Sequence, residues 1–152
     1  MAQFQIREFA SSDLAALSAI LRSSPEAAIW SDAALAGLGS APGIRTFVAT
    51  DQSQVTGFVI VRVAADEAEL LNLAVAPEHR HAGQGTALLQ HAFDALHTRG
   101  ARTIFLEVRA SNRPAIAFYQ RHGFAISGRR RNYYRDPPED ALTMSCALPG
   151  VR

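Results

Sequence analysis

The chain has 152 residues, of which 48% are hydrophobic, and its formal net charge is +1. This length and composition favour one soluble domain with a single hydrophobic core, spanning residues 1–152. Acidic and basic residues are nearly balanced, so no overall field attracts the protein to DNA or to a membrane, and neither is expected as a partner.

Cysteine usage and the apolar runs indicate the compartment. Cys146 is the only cysteine, so the chain cannot form an internal disulfide, and a reducing cytoplasm is expected. This cysteine lies in a strand-like apolar run, which favours a packed core thiol over a nucleophile. The first residues lack the pattern of a signal peptide, and no apolar run reaches the ~20 residues that a transmembrane helix needs.

The first half of the chain predicts a strand, two helices and three further strands. Ser11–Asp13 supplies N-cap residues for the first helix, and Ser23–Pro25 ends it. Trp30, the only tryptophan, stands at the entry of the second helix. Leu70–Val75 is apolar on both faces apart from Asn72, as expected of a central strand covered on both sides. The predicted strands are 3–9, 44–49, 55–63 and 67–76, and the second helix runs from Ser31 or Asp32 to Leu38.

In the second half, the longest predicted helix runs from Gly83 to Arg99 with a wide apolar stripe, and Gly100 ends it. A loop rich in arginine and tyrosine is expected between the last two strands. The order βααβββαβαββ predicts an α/β protein, an α+β mixed sheet with helices on both faces. The remaining predicted elements are strands at 103–108, 124–126 and 141–148 and a helix at 112–122.

A glycine-rich loop, Arg80-x-x-Gly83-x-Gly85-Thr86, follows a predicted strand and begins the longest helix. Glycine lets the backbone approach a ligand closely, and the unpaired N–H groups of the first turn point at an anion. A pyrophosphate is the natural ligand, although a glycine-rich helix start without a ligand explains the isolated pattern equally well. The loop follows the fourth strand, which argues against a Rossmann motif, and the Gly-Lys-Ser/Thr ending of a P-loop is absent.

Two side chains that follow this loop in the sequence can move protons. Glu107 lies near the end of an apolar strand, where loss of water makes a carboxylate a better proton acceptor. Its alternatives are a solvent-facing position and an ion pair with Arg109. Tyr119 lies on the following helix, where a core tyrosine with a satisfied hydroxyl is the alternative. Asn112 is the predicted N-cap of that helix, with Pro114 in its first turn.

Together these motifs resemble the GCN5-related N-acetyltransferases (the GNAT superfamily), and within it the bacterial ribosomal-protein-alanine N-acetyltransferases. The most specific segments are Leu106–Asn112, which reads LEVRASN, and Arg130–Tyr134, which reads RRNYY. The Arg-x-x-Gly-x-Gly motif marks the superfamily only. The similarity covers nearly the whole chain. Further matching segments are 66–77, 115–119, 123–124 and 139–141.

The resemblance implies the GNAT fold, whose two central strands splay apart, and acetyl-CoA as the cofactor. The pantetheine arm then pairs with the backbone of the first of these strands like an added strand, and the pyrophosphate rests on the glycine loop. Glu107 maps as the general base, acting through water, and Tyr119 as the general acid in a direct transfer. No metal ion is expected. The implied cofactor contacts are Leu73, Ala74, Val75, His81, Ala82, Gly83, Gln84, Gly85, Thr86 and Asn112.

One position departs from the family pattern. The residue after Arg80, often basic in the family, is His81. A neutral histidine gives the phosphates less positive charge than arginine does, so we expect CoA binding to weaken through His81 as the pH rises from 6 to 8. A constant Kd over that range in titration calorimetry contradicts this expectation.

The resemblance places the acceptor groove beside the helical pair and the last loop, so Trp30, Tyr133 and Tyr134 are its candidate residues. Core packing is the alternative for each, although one of two consecutive strand tyrosines should face outward. Asp66, Glu67 and Glu69 form an acidic cluster that attracts a cationic peptide or ends a solvated hairpin. The arginines of segment 121–135 contact the CoA phosphate, ribosomal RNA or only solvent.

Three functions fit these features. An N-acetyltransferase acting on the N-terminal α-amine of a ribosomal protein fits the Arg-Arg-Asn-Tyr-Tyr and Leu-Glu-Val-Arg segments best. A GNAT enzyme acting on a small amine, such as a polyamine or an aminoglycoside, is the first alternative. A non-catalytic acyl-CoA-binding module is the second, and the presence of Glu107 and Tyr119 argues against it. A monomer or weak dimer is expected, and Tyr134 rivals Tyr119 as the acid.

Overall fold

A computed structural model describes residues 3–28 and 30–148, and its elements follow the predicted order. Two short 3-10 turns, Ser11–Asp13 and Pro77–His79, supplement the helices. The strands are β1 (Phe4–Glu8), β2 (Ile44–Asp51), β3 (Gln54–Ala64), β4 (Glu67–Val75), β5 (Thr103–Arg109), β6 (Ala125–Arg135) and β7 (Pro138–Ala147), and the helices are α1 (Leu14–Arg22), α2 (Asp32–Ala36), α3 (Gln84–Thr98) and α4 (Arg113–Arg121).

Local chemistry explains where the helices begin. The Ser31 hydroxyl accepts a hydrogen bond from the Ala34 N–H and caps α2. Asn112 caps α4 in the same way, because its side-chain oxygen accepts from the Ala115 N–H at 3.3 Å, which confirms the predicted N-cap. Asp13 holds the start of α1 through the Ala10 N–H and a bidentate pair with Arg7.

The seven strands form one mixed sheet in the order β1-β2-β3-β4-β5-β7-β6. All neighbours are antiparallel except β4 and β5. One face packs against α3 and α4 around a core that includes Leu88, Phe93 and Tyr119. The other face packs against α1 and α2 around a second core that includes Leu17 and Leu35. Helices therefore cover both faces of the sheet, as the element order predicts.

The parallel pair β4 and β5 separates halfway along its length. Only Glu67, Ala68 and Glu69 of β4 pair with β5, and the pairing then stops although both strands continue. Leu71 is an extra residue in the β4 pairing with β3, and such a bulge bends a strand. The sheet therefore opens between two central strands, which confirms the expected splay.

The arginine- and tyrosine-rich segment is a strand and not a loop. Residues 125–135 form β6, an edge strand that pairs only with β7 among the described residues. Nearly all its side chains are exposed, so it lacks the alternating hydrophobic pattern from which a strand is predicted. The backbone pairing with β7 decides its conformation, and the strand prediction at 124–126 was therefore too short.

Cys146 lies buried in the core on β7, as expected for a packed thiol, and burial raises its pKa. Among the described helices, none combines the length and apolar character needed to cross a bilayer.

Candidate functional site

A cleft of about 1200 Å³ opens where β4 and β5 separate. We call its two sides the loop half, formed by Leu73–Val75 and the loop at 81–86, and the hairpin half, formed by the end of β5 and the β6–β7 hairpin. The cleft brings together all the predicted site residues except Ala82 and Trp30. The predicted residues that line it are Leu73, Ala74, Val75, His81, Gly83, Gln84, Gly85, Thr86, Glu107, Asn112, Tyr119, Tyr133 and Tyr134.

In the loop half, backbone groups face the cleft. Beyond Glu69, the β5 side of β4 has no paired strand in the described part of the chain, so Leu73–Val75 presents an open strand edge. Gly83, the N-cap of α3, has a φ of 88°, a left-handed conformation that glycine adopts without strain. Having no side chain, Gly83 leaves the first N–H groups of the helix open, and these groups favour an anion.

The loop packs tightly on the protein behind it. A Cβ at Gly85 would lie 3.4 Å from the Phe118 ring, in van der Waals contact, so the loop backbone rests directly against that ring. His81 has a φ of 64° and is exposed at the cleft, and its effect on the pH dependence of CoA binding stays a prediction. Ala82 is exposed between His81 and Gly83 but does not line the cleft.

The side chain of Gln84 points into the core. It is 3% exposed, and its Oε1 accepts a 2.7 Å hydrogen bond from the hydroxyl of the fully buried Thr56. Because that bond occupies the amide oxygen, the side chain anchors the start of α3 to β3. Gln84 therefore offers the cleft its backbone N–H and not its side chain. The sequence predicts the residue but does not show which of these two groups faces the cleft.

Arg80 was not among the predicted site residues, yet it ties two walls of the cleft together. Its guanidinium donates to the Val75 carbonyl at 2.9 Å and to the Ser24 hydroxyl at 3.0 Å. It also forms an ion pair with Glu26 at 2.8 Å. The end of β4 is thereby fixed to the segment after α1, whose residues Pro25–Ala28 line the cleft. The Arg-x-x-Gly-x-Gly motif, which begins with Arg80, is the feature of the sequence that could have marked it as a site residue.

Glu107 stands at the centre of the hairpin half. Its side chain is 16% exposed, and both carboxylate oxygens have partners. The Tyr133 hydroxyl donates to Oε1 at 3.0 Å, and the Arg130 guanidinium forms an ion pair with Oε2. Of the alternatives left open by the sequence, a pair with Arg109 is therefore wrong. A charged partner does exist, but it comes from β6.

Arg109 instead braces the hairpin. It pairs with Glu139 at 3.2 Å, and its guanidinium lies over the Tyr134 ring at 4.3 Å. Glu139 also accepts from the Ser111 N–H at 2.6 Å. Hydrogen bonds from Ser111 and Arg109 lower the pKa of the Glu139 carboxyl. This network holds Tyr134 against the end of β5.

Two further phenols that line the cleft stay protonated at neutral pH. Tyr119 is 8% exposed, and burial raises its pKa well above the ordinary value. Burial and the neighbouring Tyr133 raise the pKa of Tyr134 to about 12. Both phenols line the cleft and carry a proton at neutral pH, so the geometry leaves both as candidates for an acid.

Trp30 is not among the residues that line the cleft. Its side chain is partly buried and packs against the second core, which lies between the sheet and helices α1 and α2. Core packing, the alternative considered from the sequence, is therefore what the structure favours for this side chain.

Segment 121–135 contains several arginines with defined partners. Arg129 pairs with Asp140 at 2.7 Å, and Arg130 pairs with Glu107. Arg121 lines the cleft, with its guanidinium 5.9 Å from the Phe118 ring centroid. The segment is therefore a mixture of ion-paired and cleft-lining side chains. Glu69, in the acidic cluster on β4, is likewise paired with Arg62.

His122 lies beside the loop half and was missed from the sequence. Its Nε2 is 3.2 Å from the Thr86 hydroxyl in the first turn of α3. Burial, assisted by the charge of Arg121, lowers its pKa. No motif marks this histidine, because the end of α4 meets the start of α3 only in the folded chain.

Sequence comparison identifies a family and close relatives. Residues 11–124 match the acetyltransferase (GNAT) family. The ribosomal protein bS18-alanine N-acetyltransferase of Escherichia coli (strain K12) is 48% identical over 105 residues, covering 68% of this chain and 70% of that protein. The enzyme of the same name from Haemophilus influenzae is 38% identical over 101 residues, covering 64% of this chain and 68% of that protein.

Solved structures agree over nearly the whole chain. The crystal structure of the ribosomal-protein-S18-alanine N-acetyltransferase from Escherichia coli superposes with a TM-score of 0.84 and 38% identity, covering 95% of this chain and 94% of the other. Ard1 from Thermoplasma volcanium superposes with a TM-score of 0.88 and 29% identity, covering 97% and 99%. The expected fold is therefore confirmed.

Proposed function

This chain belongs to the acetyltransferase (GNAT) family and is an N-acetyltransferase, and we propose that it transfers the acetyl group of acetyl-CoA to the N-terminal α-amine of a ribosomal protein. The observation that carries the proposal is the cleft between the splayed strands β4 and β5. It places an anion-binding helix start in the loop half, Glu107 and Tyr134 in the hairpin half, and Tyr119 on α4 beside the loop half.

The loop half fits a long thioester that carries a diphosphate. The open edge of β4 at Leu73–Val75 offers backbone partners to the amides of a pantetheine arm, like an added strand. The loop from His81 to Thr86 offers N–H groups at the start of α3 to the pyrophosphate. Bound acetyl-CoA supplies a thioester carbonyl that an amine can attack.

Glu107 serves as the general base. A free α-amine titrates near ~8, so at neutral pH it needs only modest help to lose its proton. A carboxylate whose two oxygens already contact Tyr133 and Arg130 takes that proton most readily through a bridging water. Direct attack of the amine then requires no acyl-enzyme, so the buried Cys146 has no role.

Tyr119 serves as the general acid, with Tyr134 as the rival. The Tyr119 phenol lines the cleft and carries its proton at neutral pH, so it has a proton to give to the departing thiolate. It lies on α4, directly beside the loop half, because Phe118 packs on Gly85. Tyr134 lines the same cleft from the β6–β7 hairpin.

The acceptor enters from the hairpin half. Tyr133 and Tyr134 line this end of the cleft, and Pro25–Ala28 also lines the cleft. The relatives from Escherichia coli and Haemophilus influenzae are alanine N-acetyltransferases of ribosomal protein bS18, and we infer the same acceptor class here. A ribosomal acceptor implies action in the cytoplasm.

The test is an acetyl-transfer assay with matched acceptors. The protein is incubated with acetyl-CoA and a peptide that has the N-terminal sequence of bS18, and thiol release is measured. Controls are the same peptide with its α-amine blocked, a lysine peptide, a polyamine and an aminoglycoside. The enzyme contains no lysine, so acetyl-lysine can form only on the acceptor.

We expect turnover of the free bS18 peptide and none of its blocked form. Turnover of the small amines alone overturns the ribosomal acceptor. Binding of CoA without transfer to any amine supports a non-catalytic acyl-CoA-binding module instead.

A further inference from the structure

Strand β6 carries an irregularity in the stretch whose side chains contact Glu107. Between Arg130 and Tyr134, which both have partners on β7, three residues of β6 stand opposite the single residue Asp140. The middle one, Asn132, has a φ of 50°, in the left-handed region that asparagine tolerates better than most residues. The chain therefore forms a bulge at this point, a feature that re-aims side chains.

The bulge changes which side chains reach the cleft. In a regular strand, side chains one or three positions apart point to opposite faces. Arg130 and Tyr133 are three positions apart, yet both contact the Glu107 carboxylate. Tyr133 and Tyr134 are adjacent, yet both line the cleft with their ring centroids 5.1 Å apart. Regular pairing of β6 would remove at least one of these contacts.

The carboxylate of Asp140, on the neighbouring strand β7, stabilises the bulge through hydrogen bonds to β6. Its Oδ1 accepts from the Asn132 N–H at 2.9 Å, and its Oδ2 accepts from the Arg129 guanidinium at 2.7 Å. These two bonds lower the pKa of the Asp140 carboxyl, so it is ionised at neutral pH. The Asp140 carbonyl also accepts from the Ala110 N–H, just after the end of β5. Asp140 thus joins the bulge to the strand that carries Glu107.

We propose that Asp140 is a positioning residue for the acceptor side of the reaction, because it holds the β6 bulge that keeps Arg130 and Tyr133 on Glu107. Asp140 does not line the cleft, so it acts only through these groups. The inference rests on the proposed function, in which Glu107 is the general base.

The physical effect is on the orientation of one carboxylate. With each oxygen held by a separate donor, Glu107 has a fixed orientation toward the acceptor amine. Without the Asn132 bond the bulge can relax toward regular pairing, which turns Tyr133 away. Glu107 then loses one of its donors and its orientation, whereas the loop half is unaffected.

The first test is kinetic. Asp140→Ala should lower kcat/KM for the acceptor peptide about tenfold, the scale of one lost hydrogen bond to a charged group, and should leave the Kd of CoA unchanged. Asp140→Asn retains an oxygen that can accept from the Asn132 N–H and should keep most of the activity. The matched control Arg129→Ala removes only the exposed ion pair and should change kcat/KM by less than about twofold.

A double-mutant cycle separates positioning from general destabilisation. If Asp140 acts through Tyr133, then Tyr133→Phe should cost much less in the Asp140→Ala background than in the wild type. Losses that multiply independently overturn the proposal. Should Asp140→Ala fail to fold, Asp140→Glu displaces the same carboxylate by one methylene and should show the same non-additivity.

A spectroscopic readout needs no turnover. Burial and the hydrogen bond to Glu107 raise the pKa of Tyr133. In Asp140→Ala, ultraviolet titration should show one phenol moving back toward the ordinary value of ~10, and Tyr133→Phe identifies that phenol. An unchanged titration overturns the proposal. If the titration shifts but the wild-type protein acetylates no peptide, Asp140 does position Tyr133. The proposed peptide acceptor is then wrong on separate evidence.

Discussion

The loop half of the cleft is built from backbone, whereas the hairpin half is built from side chains. At the loop, the open edge of β4 and the N–H groups after Gly83 face the cleft, and the Gln84 side chain is turned into the core. At the hairpin, Glu107 depends on Arg130 and Tyr133, which belong to the irregular strand β6 and reach it over β7.

The difference separates recognition from chemistry. A backbone site binds a group common to every reaction cycle, and substitutions affect it only where they change the path of the chain. A side-chain site can be retuned residue by residue, which suits the part of the cleft that selects an acceptor and moves protons. Each half should therefore respond to its own class of substitution.

The largest effect is expected at the proposed acid. Tyr119→Phe removes one oxygen and should lower kcat by about 10²–10⁴-fold, because the departing thiolate loses its proton donor. The Kd of CoA, measured by calorimetry, should stay the same. An unchanged kcat excludes Tyr119 as the acid, and Tyr134→Phe should then show the loss.

The base should give the next largest effect. Glu107→Gln should lower kcat/KM about 10²-fold near pH 7 and move the activity to higher pH, where the amine of the acceptor, with a pKa near ~8, loses its proton unaided. A pH–rate profile with the acceptor peptide checks this. A profile of unaltered shape excludes Glu107 as the base.

At the loop half, a single methyl group should weaken cofactor binding. Gly83→Ala places an L-residue at a φ of 88°, which costs about 1–2 kcal/mol, so the Kd of CoA should rise about tenfold as the loop relaxes. Gly100→Ala is the matched control, because Gly100 has a φ of 86° with open space around it at the far end of α3. That variant should lose similar stability and keep the Kd of CoA.

The smallest effect concerns stability and pH at the contact between α4 and α3. Burial lowers the pKa of folded His122, so between about pH 7.5 and 5.5 the unfolded chain, with its histidine near ~6.5, binds more protons than the folded chain. Stability should therefore fall on acidification. His122→Gln should show a smaller drop in Tm over this range, and an equal drop contradicts the argument.

The loop half was predictable because its signals are local. Gly83 has a positive φ, which glycine favours, and the apolar run Leu70–Val75 has the pattern of a strand covered on both sides. Both appear within short stretches of sequence. The splay of β4 from β5 followed from the family resemblance and is seen in the pairing, which ends at Glu69.

The hairpin half was predictable only in part. Glu107, Tyr133 and Tyr134 were predicted as site residues and line the cleft, but the pair between Glu107 and Arg130 was not predicted, because it joins residues 23 positions apart through a bulge. The bulge depends on Asp140, whose bonds to β6 exist only after β7 pairs. Residue types and spacing within one segment carry no information about such a contact.

One crossed measurement tests the division between the two halves most directly. The Kd of CoA and the acceptor kcat/KM, the latter at saturating acetyl-CoA, are determined for the wild type, Gly83→Ala and Asp140→Ala. Gly83→Ala should raise the Kd of CoA about tenfold and change the acceptor kcat/KM little. Asp140→Ala should lower the acceptor kcat/KM about tenfold and leave the Kd of CoA unchanged. If either substitution changes both quantities to the same extent, the cleft is one coupled site and the division is wrong.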